Sequence, residues 1–302
     1  MCGSSELGDQ EVECEKVCCE LTRWARMNRQ AFEILHGERF EFGANWTRFL
    51  SVLDEERVNV ATTSLCEKLN AETLAGKTFL DIGSGSGLFS LAARMLGARV
   101  YSFDYDPQSV ACTGELKRRY FPGDDEWVVE QGSVLDRDYL SRMGQFDVVY
   151  SWGVLHHTGN MWEAFGNVEP LVRGGGKLFI SIYNDQGGAS RRWEMLKRLY
   201  NKNTLLRMPL TIYTLVRQWS ITFLRDTLRG RPLASWKNYK NSRGMSAWHD
   251  AVDWIGGYPF EVARPEEVFD YFRKRNFLLE NLKTCAGSIG CNEYVFTKGD
   301  PK

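Results

Sequence analysis

A glycine-rich stretch, Asp81-Ile82-Gly83-Ser84-Gly85-Ser86-Gly87, has the residue types and spacing that point most directly to chemistry. It follows a short apolar run and leads into an amphipathic stretch, so we expect a turn between a strand and a helix. Glycine permits a tight turn and lets a ligand approach the backbone closely. Asp104 ends the next apolar run, about 20 residues further on, where a carboxylate suits the hydroxyls of a ribose.

The glycine loop alone leaves the class of cofactor open, because nicotinamide and flavin enzymes use a closely related pattern. The loop lacks the Lys-Ser/Thr ending of a phosphate-binding P-loop. Asp81 lies two positions before the first glycine. A carboxylate there suits a cationic or amino-bearing cofactor better than a pyrophosphate.

In order and spacing, these motifs resemble the class I S-adenosylmethionine-dependent methyltransferases, over about residues 77–184 and 263–298. The resemblance implies that Asp81–Gly87 holds the methionine part of S-adenosylmethionine and that Asp104 binds its ribose. It also implies that Gly132–Asp136 borders the adenine, with Ser133 where many members carry an acid. The cofactor-binding residues implied in this way are Asp81, Gly83, Ser84, Gly85, Gly87, Asp104, Tyr105, Ser133, Val134, Ser151 and Trp152.

Two of the four histidines, His156 and His157, follow the fourth apolar run. Methyl transfer is an in-line displacement that the enzyme mainly aligns, and a nearby base can remove the proton of a hydroxyl or amine. Small-molecule O-methyltransferases of the resembled class often carry histidine here, which implies His156 as the first candidate base and His157 as the second. The alternative is that one of them caps or packs against the next helix. The segment lacks the Asn/Asp-Pro-Pro-Tyr type of sequence, which argues against amide or exocyclic amino acceptors.

Candidate acceptor contacts come from two places. A run similar to the one ending in Tyr183 and Asn184 lines the acceptor pocket of ubiquinone-biosynthesis O-methyltransferases, so the resemblance implies substrate contacts at both residues. Residues 246–261 are dense in polar and aromatic groups, and we expect them to fold back over the cleft. The contacts expected there are His249, Asp250, Asp253, Tyr258 and Glu261, with His249 as a third possible base. A turn or structural corner without a ligand is the alternative in both places.

Two further segments differ from the rest in composition. Trp46 precedes the glycine loop in a helical region, and its aromatic face could stack near the cationic sulfonium. Residues 185–261 hold 13 Lys and Arg against six Asp and Glu, interleaved with aromatic side chains. A basic aromatic lid suits an anionic or aromatic acceptor, a membrane surface or nucleic acid. Long Arg and Lys side chains that merely solvate helix faces would give the same composition.

The elements that must position these residues follow from the pattern of apolar runs. Strands alternating with amphipathic stretches indicate crossover connections and a parallel sheet. We therefore expect an α/β fold with a doubly wound, mostly parallel, seven-stranded Rossmann-like sheet. Residues 1–76 form a helical N-terminal segment, residues 77–184 and 263–302 form the core, and residues 185–262 form a helical or irregular lid over the substrate cleft. The strands are expected at Thr78–Ile82, Val100–Phe103, Trp127–Glu130, Phe146–Ser151, Lys177–Tyr183, Phe277–Thr284 and Glu293–Thr297.

Composition bounds the protein class. Of the 302 residues, 43% are hydrophobic and 25% charged, which excludes a wholly disordered chain. The 38 Lys and Arg nearly balance the 39 Asp and Glu, so net charge does not indicate a nucleic-acid binder. No signal-peptide, myristoylation or bilayer-spanning pattern is evident, so we expect a cytoplasmic protein with free thiols. Cys14, Cys18 and Cys19 invite a metal or metalloid site, but no zinc spacing accompanies them, so we expect no metal.

We therefore expect S-adenosylmethionine-dependent methyl transfer to a small-molecule acceptor, most simply at a hydroxyl oxygen. One alternative is methylation of an RNA nucleotide beneath the basic lid, which salt-dependent RNA binding would support. A second is a non-catalytic cofactor-binding partner subunit. A third is peripheral membrane attachment through Leu205–Leu228, which would deliver a lipid-like acceptor such as a quinone precursor. The oligomeric state does not follow from the sequence.

Overall fold

The structure is a computed structural model that describes residues 29–51, 53–231, 233–237, 247–287 and 290–300. Within these residues, seven strands form one sheet in the order β3-β2-β1-β4-β5-β7-β6. The strands are β1 (Thr78–Ile82), β2 (Arg99–Asp104), β3 (Trp127–Gln131), β4 (Phe146–Trp152), β5 (Val172–Tyr183), β6 (Phe277–Lys283) and β7 (Cys291–Lys298). Strands β1 to β5 are parallel, and β7 is antiparallel to both of its neighbours. The expected doubly wound, mostly parallel sheet is confirmed.

Helices precede, connect and follow these strands. They are α1 (Gly43–Leu50), α2 (Glu55–Leu69), α3 (Leu88–Met95), α4 (Pro107–Tyr120), α5 (Arg137–Ser141), α6 (Met161–Val168), α7 (Gly188–Lys202), α8 (Arg207–Leu228), α9 (Ala247–Gly256) and α10 (Pro265–Arg273). Residues 29–35 are also helical. The predicted strands therefore lie close to their observed positions.

Both faces of the sheet are covered, which explains why the strands are nearly continuous apolar runs. Phe79 of β1 packs in a cluster with Leu65 of α2 and Leu91 of α3 on one face. Its neighbour Leu80 points to the other face, where it joins a cluster that contains Phe165 of α6. Because successive side chains of a strand alternate between faces, one five-residue strand contributes to both layers of the core.

The start of α4 joins the N-terminal segment to the sheet. Asp106 caps this helix, since its Oδ1 accepts a hydrogen bond from Gln108 N at 2.9 Å, and Pro107 is the first helical residue. The other oxygen, Oδ2, accepts from Gly43 N at 2.8 Å. One buried carboxylate therefore fixes the start of α4 and the start of α1, which carries Trp46.

The insertion leaves the sheet after Tyr183 and returns at Ala263, whose N–H donates to Tyr183 O at 3.0 Å. Helices α7, α8 and α9 make up most of its described part. Trp193 and Tyr200 of α7 pack with Ile255 of α9 in a separate apolar cluster. The insertion therefore has a small core of its own beside the sheet.

Two expectations drawn from composition concern membranes and thiols. In the described ranges, no helix combines the length and the apolar character that crossing a bilayer requires. Among the described residues, Cys66, Cys112, Cys285 and Cys291 are not joined in disulfides. The other four cysteines, including Cys14, Cys18 and Cys19, lie outside the described residues, as does the metal site they could suggest.

The double role of Asp106 predicts a measurable loss of stability on its removal. Asp106→Ala should lower the free energy of unfolding by about 2 kcal/mol, because it removes a helix cap and leaves Gly43 N without its acceptor. Urea denaturation followed by circular dichroism measures this. Asp125→Ala, an exposed acid in the turn before β3, is the matched control and should change the value by less than about 0.5 kcal/mol. Equal losses in the two variants would contradict the assignment.

Candidate functional site

The glycine loop forms the expected turn between β1 and α3. Gly83, Gly85 and Gly87 have φ of 76°, 55° and 80°, in the left-handed region that glycine tolerates without strain. Space requires glycine as well. A Cβ on Gly83 would lie 2.5 Å from the Val154 side chain, and one on Gly85 would lie 3.1 Å from the Trp46 indole. The close approach of Val154 and Trp46 to the turn therefore requires glycine at both positions.

A cavity of about 620 Å³ opens at the carboxyl ends of β1, β2 and β4, where open α/β sheets bind ligands. It is large enough for a nucleoside-sized ligand with space beside it. Eight of the predicted cofactor-binding residues line it: Trp46, Gly83, Gly85, Asp104, Tyr105, Ser133, Val134 and Trp152.

Asp104 lies in the wall of this cavity. Its Oδ2 accepts a hydrogen bond from Gly85 N at 2.9 Å, and its Oδ1 accepts from Asp106 N at 2.9 Å. Burial raises the pKa of this carboxyl to about 6, against the lowering effect of these two backbone donors. The carboxylate keeps unused lone pairs and borders an apolar space, so hydroxyl donors of a ligand fit it well.

The other four predicted cofactor residues lie behind the turn and do not line the cavity. Asp81 is buried and accepts a hydrogen bond from Ser90 Oγ, and burial raises its pKa to about 7. Ser84 Oγ is bonded to Thr113 Oγ1 at 2.9 Å, and Ser151 Oγ donates to Ile82 O at 3.1 Å. Gly87 is the N-cap of α3. These four residues support the turn through contacts within the protein. Because none of them lines the cavity, the structure does not place them in contact with a ligand bound there.

The N-terminal segment lines one part of the cavity. Among the described residues, positions 29–46 contribute eight lining residues, whereas the insertion contributes Pro259 alone. Residues 185–262 were expected to cover the cavity, but in the described part of the chain the N-terminal segment contributes most of the lining outside the core. Arg39 fixes the segment, because it pairs with Glu33 at 2.7 Å and donates to His157 O at 3.0 Å. The sequence indicated Trp46 but not Arg39 and Phe42, because these two lie in the irregular stretch 36–42 between two helices, whose path no periodic pattern predicts.

The two adjacent histidines lie in different environments. His156 is fully buried, does not line the cavity, and has neither ring nitrogen hydrogen-bonded. Its ring packs 4.1 Å from that of Tyr183. His157 lines the cavity. The candidate base is therefore His157 and not His156, which was the first choice from the sequence. The two differ because consecutive residues of the short helical turn Leu155–His157 point in different directions.

The hydrogen bond of His157 fixes its tautomer. Its Nδ1 lies 2.6 Å from Pro259 O, and a carbonyl oxygen only accepts, so Nδ1 carries the proton. Burial lowers the pKa of the ring to about 3, so the imidazole is neutral at physiological pH. Nε2 is therefore the nitrogen with a free lone pair, in a residue that borders the cavity.

The predicted acceptor contacts on β5 lie outside the cavity. The Tyr183 ring packs between His156 and Phe260, with centroids 4.1 and 5.1 Å away. The side chain of Asn184 is buried, and its Oδ1 accepts from Asn292 Nδ2 at 3.1 Å. Tyr183 therefore packs against the insertion and Asn184 is hydrogen-bonded to β7. Neither residue lines the cavity, contrary to the acceptor contacts that the resemblance implied.

The candidates in the insertion also lie away from the cavity. Glu261 caps α6, because its carboxylate accepts from Met161 N at 3.0 and 3.1 Å. Asp253 has a buried Oδ1 without a partner, and burial raises its pKa to about 7. Asp250 and Tyr258 do not line the cavity either, although the cis peptide after Tyr258 leads into Pro259, which does. His249 lies in α9, but its side chain is outside the described part of the chain.

Comparison with known proteins agrees with this geometry. A family model for a methyltransferase domain matches residues 53–231. The chain is 44% identical over 79 residues to the ribosomal protein L11 methyltransferase of Methylococcus capsulatus, covering 26% of this chain and 27% of that protein. It is 34% identical over 119 residues to a tRNA U34 carboxymethyltransferase of the same organism, covering 39% and 36%. The chain thus spans about a third of the length of these relatives.

One solved structure shares the fold across most of the chain. An O-methyltransferase family protein from Burkholderia thailandensis superposes with a TM-score of 0.51, covering 94% of this chain and 71% of that one. At 15% identity, this likeness shows the fold alone.

The position of Asp104 predicts how binding depends on pH and on the carboxylate. Asp104→Asn should weaken S-adenosylhomocysteine binding about tenfold, or ~1.4 kcal/mol, because an amide has fewer acceptor sites than a carboxylate. The affinity of the unchanged protein should fall as the pH drops through about 6, where Asp104 gains a proton. Titration calorimetry at pH 7.5 and pH 5 measures both effects.

Asp125→Asn makes the same chemical change at an exposed site and should bind as the unchanged protein does. Unaltered affinity in the Asp104 variant, together with a flat pH dependence, would show that this carboxylate does not bind the nucleoside.

Proposed function

Because the chain belongs to the methyltransferase-domain family of S-adenosylmethionine-dependent enzymes, we propose that it methylates a hydroxyl oxygen of a small-molecule acceptor. The observation that carries the proposal is the placement of His157. A neutral imidazole with a fixed tautomer lines the same cavity as the glycine turn and Asp104. The candidate base and the residues that would hold the cofactor therefore line the same cavity.

The residues of the cavity fit the cofactor. Asp104 would accept hydrogen bonds from the ribose hydroxyls, and Ser133 and Val134 would border the adenine. The backbone of Gly83 and Gly85 would hold the methionine end, where a side chain on either residue would collide with Val154 or Trp46. When bound, S-adenosylmethionine supplies an electrophilic methyl group whose bond to the sulfonium sulfur breaks as the acceptor attacks, leaving a neutral thioether.

His157 positions the acceptor and removes its proton. The hydrogen bond to Pro259 O holds the ring, so Nε2 can accept a hydrogen bond from the acceptor hydroxyl. The low pKa of His157 keeps Nε2 unprotonated. A weak base is sufficient here, because the attacking hydroxyl becomes a strongly acidic oxonium as its oxygen forms the bond to the methyl carbon. The imidazolium then releases the proton to solvent.

The walls of the cavity favour a small, largely apolar acceptor. Phe40, Phe42, Trp46 and Trp152 line it, which suits a flat or aromatic molecule. Arg29 and Arg39 border it as well, but each pairs with Glu33. The charged side chains that line the cavity are these two cations and five acids, Glu33, Glu38, Asp104, Asp106 and Asp136. Because acids outnumber cations there, the proposal rests on apolar contact with the acceptor and not on attraction of an anion.

A macromolecular acceptor is the competing possibility. The relatives named for a ribosomal protein and for tRNA share less than half of their length with this chain, so their acceptors do not carry over. A concave cavity of this size, lined in part by the N-terminal segment, suits a free small molecule better than a residue held within a polymer.

A labelling experiment tests the class of acceptor. The protein is incubated with methyl-tritiated S-adenosylmethionine and, separately, a panel of hydroxylated aromatic compounds, total tRNA or ribosomal protein. We expect label in the solvent-extractable methyl ethers of the panel and none in tRNA or protein. Transfer only to tRNA or protein would contradict the proposal, and transfer to none of them would favour a non-catalytic subunit.

The two histidines offer a matched pair of variants. His157→Gln should lower kcat about 100-fold with the best acceptor of the panel, since it removes the group that takes the proton. Its affinity for S-adenosylhomocysteine should stay within about threefold, because ribose and adenine contacts remain. His156→Gln, one residue away but outside the cavity, should keep kcat within about threefold. A larger loss of kcat in the His156 variant would reverse the assignment.

A further inference from the structure

The outward face of α8 is apolar. Met208, Ile212, Val216 and Phe223 recur at steps of four, four and seven residues, which places them on one side of α8, and Leu205 lies in the 3-10 turn that leads into this helix. We call these five residues the outer stripe. Their exposed fractions are 87, 59, 51, 63 and 49%, so none of them belongs to the core of the protein.

The polarity of this helix is reversed relative to an ordinary surface helix. Thr211 and Thr214 face inward and are 2 and 0% exposed. Each hydroxyl donates to a carbonyl of its own helix, from Thr211 to Arg207 O at 2.8 Å and from Thr214 to Leu210 O at 2.9 Å. Hydroxyls are thus buried while aliphatic side chains meet solvent, a pattern that marks an interaction surface.

The surroundings of the outer stripe are strongly cationic. Ten exposed Lys and Arg lie between residues 188 and 237, against one exposed acid, Glu194. Asp226, the acid within α8, is buried, and its carboxylate accepts from Ser235 N at 2.8 Å and Ser235 Oγ at 2.9 Å. The exposed cations are Arg191, Arg192, Arg198, Lys202, Arg207, Arg217, Arg225, Arg229, Arg231 and Lys237.

We propose that the outer stripe docks this protein on the surface of a bilayer that contains anionic phospholipids. Apolar side chains beside many cations are the features of a helix that lies in the headgroup region. The 22 residues of α8 extend about 33 Å, which gives a long contact parallel to the surface. Since no helix in the described ranges meets the requirements for crossing a bilayer, attachment is peripheral.

Two other occupants fit the surface less well. A second copy would bring two cationic faces together, and like charges oppose such a pairing. RNA would match the cations, but it offers no partner for exposed leucine, isoleucine and valine side chains. Anionic lipid matches both features, because its headgroups pair with Lys and Arg while its acyl chains receive the outer stripe.

Co-sedimentation of the full chain with vesicles tests the proposal. We expect binding to vesicles of phosphatidylcholine with about 30% phosphatidylserine, at least tenfold weaker binding to pure phosphatidylcholine, and weakening as salt increases. Ile212→Ser with Val216→Ser should reduce binding to the anionic vesicles at least tenfold. The matched control, Val60→Ser with Met95→Ser, changes exposed apolar residues of α2 and α3 and should bind normally.

A second pair of variants tests the charges. Arg225→Gln with Arg229→Gln should weaken binding to anionic vesicles about 25-fold, at about fivefold for each cation. Arg142→Gln with Lys274→Gln, exposed cations elsewhere, should have no effect. Circular dichroism and S-adenosylhomocysteine binding confirm that every variant is folded, since these residues lie outside the cavity.

Three results would overturn the proposal. One is an absence of binding to the anionic vesicles. Another is equal binding by the outer-stripe and control variants. The third is a dimer, detected by analytical ultracentrifugation without lipid, that the outer-stripe variant abolishes, since the stripe would then join two copies of this chain.

Discussion

The hydrogen bond from Gly85 N to Asp104 Oδ2 joins the carboxyl ends of the two strands on which the site is built. The same carboxylate accepts from Asp106 N, and Asp106 in turn holds the starts of α4 and α1. Helix α1 brings Trp46 against Gly85, which closes a ring of contacts around the glycine turn. The glycine turn, Asp104 and the N-terminal segment are therefore joined into one unit by hydrogen bonds and packing contacts.

Buried acids cluster at the carboxyl ends of β1 and β2, where these contacts meet. Asp81 and Asp104 both have raised pKa values, because burial disfavours their charged forms and each lies near another acid. Backbone donors and serine hydroxyls offset part of that cost. A cationic, hydroxyl-bearing ligand would offset more of it, which ties the stability of the turn to occupancy of the cavity.

The sheet could be predicted from the sequence because its strands are buried on both faces. Continuous apolar runs such as Thr78–Ile82 need no tertiary information to be recognised. The glycine turn and Asp104 were found for a related reason, since positive φ angles and strand ends leave marks in local sequence. The start of α4 is also defined by local chemistry, because Asp106 caps the helix and Pro107 is its first residue.

The remaining errors share a physical cause, which is that side-chain direction depends on tertiary packing. His156 and His157 have the same chemistry and neighbouring positions, yet only His157 lines the cavity. Glu261 looked like an acceptor contact but caps α6, a role set by a segment 100 residues earlier in the chain. Lys197 had no visible signal at all, although it is buried and its ammonium lies 4.4 Å from the centre of the Trp254 ring.

Such buried polar groups hold the insertion beside the sheet. The Lys197 ammonium donates to Trp254 O, which links α7 to α9. Burial lowers the pKa of Lys197 to about 7, so burying this ammonium has an energetic cost that the aromatic rings around it partly offset. From α9 the chain runs to Pro259, whose carbonyl fixes the tautomer of His157. The orientation of the candidate base therefore depends on the packing of the insertion.

The most direct measurement is a crystal structure of the protein grown with equal concentrations of S-adenosylhomocysteine and a nicotinamide dinucleotide. The account predicts that S-adenosylhomocysteine occupies the cavity, with its ribose hydroxyls in hydrogen-bond contact with Asp104 and its sulfur on the same side of the cavity as Trp46 and His157. Density for the dinucleotide along the glycine turn, with S-adenosylhomocysteine absent, would contradict it.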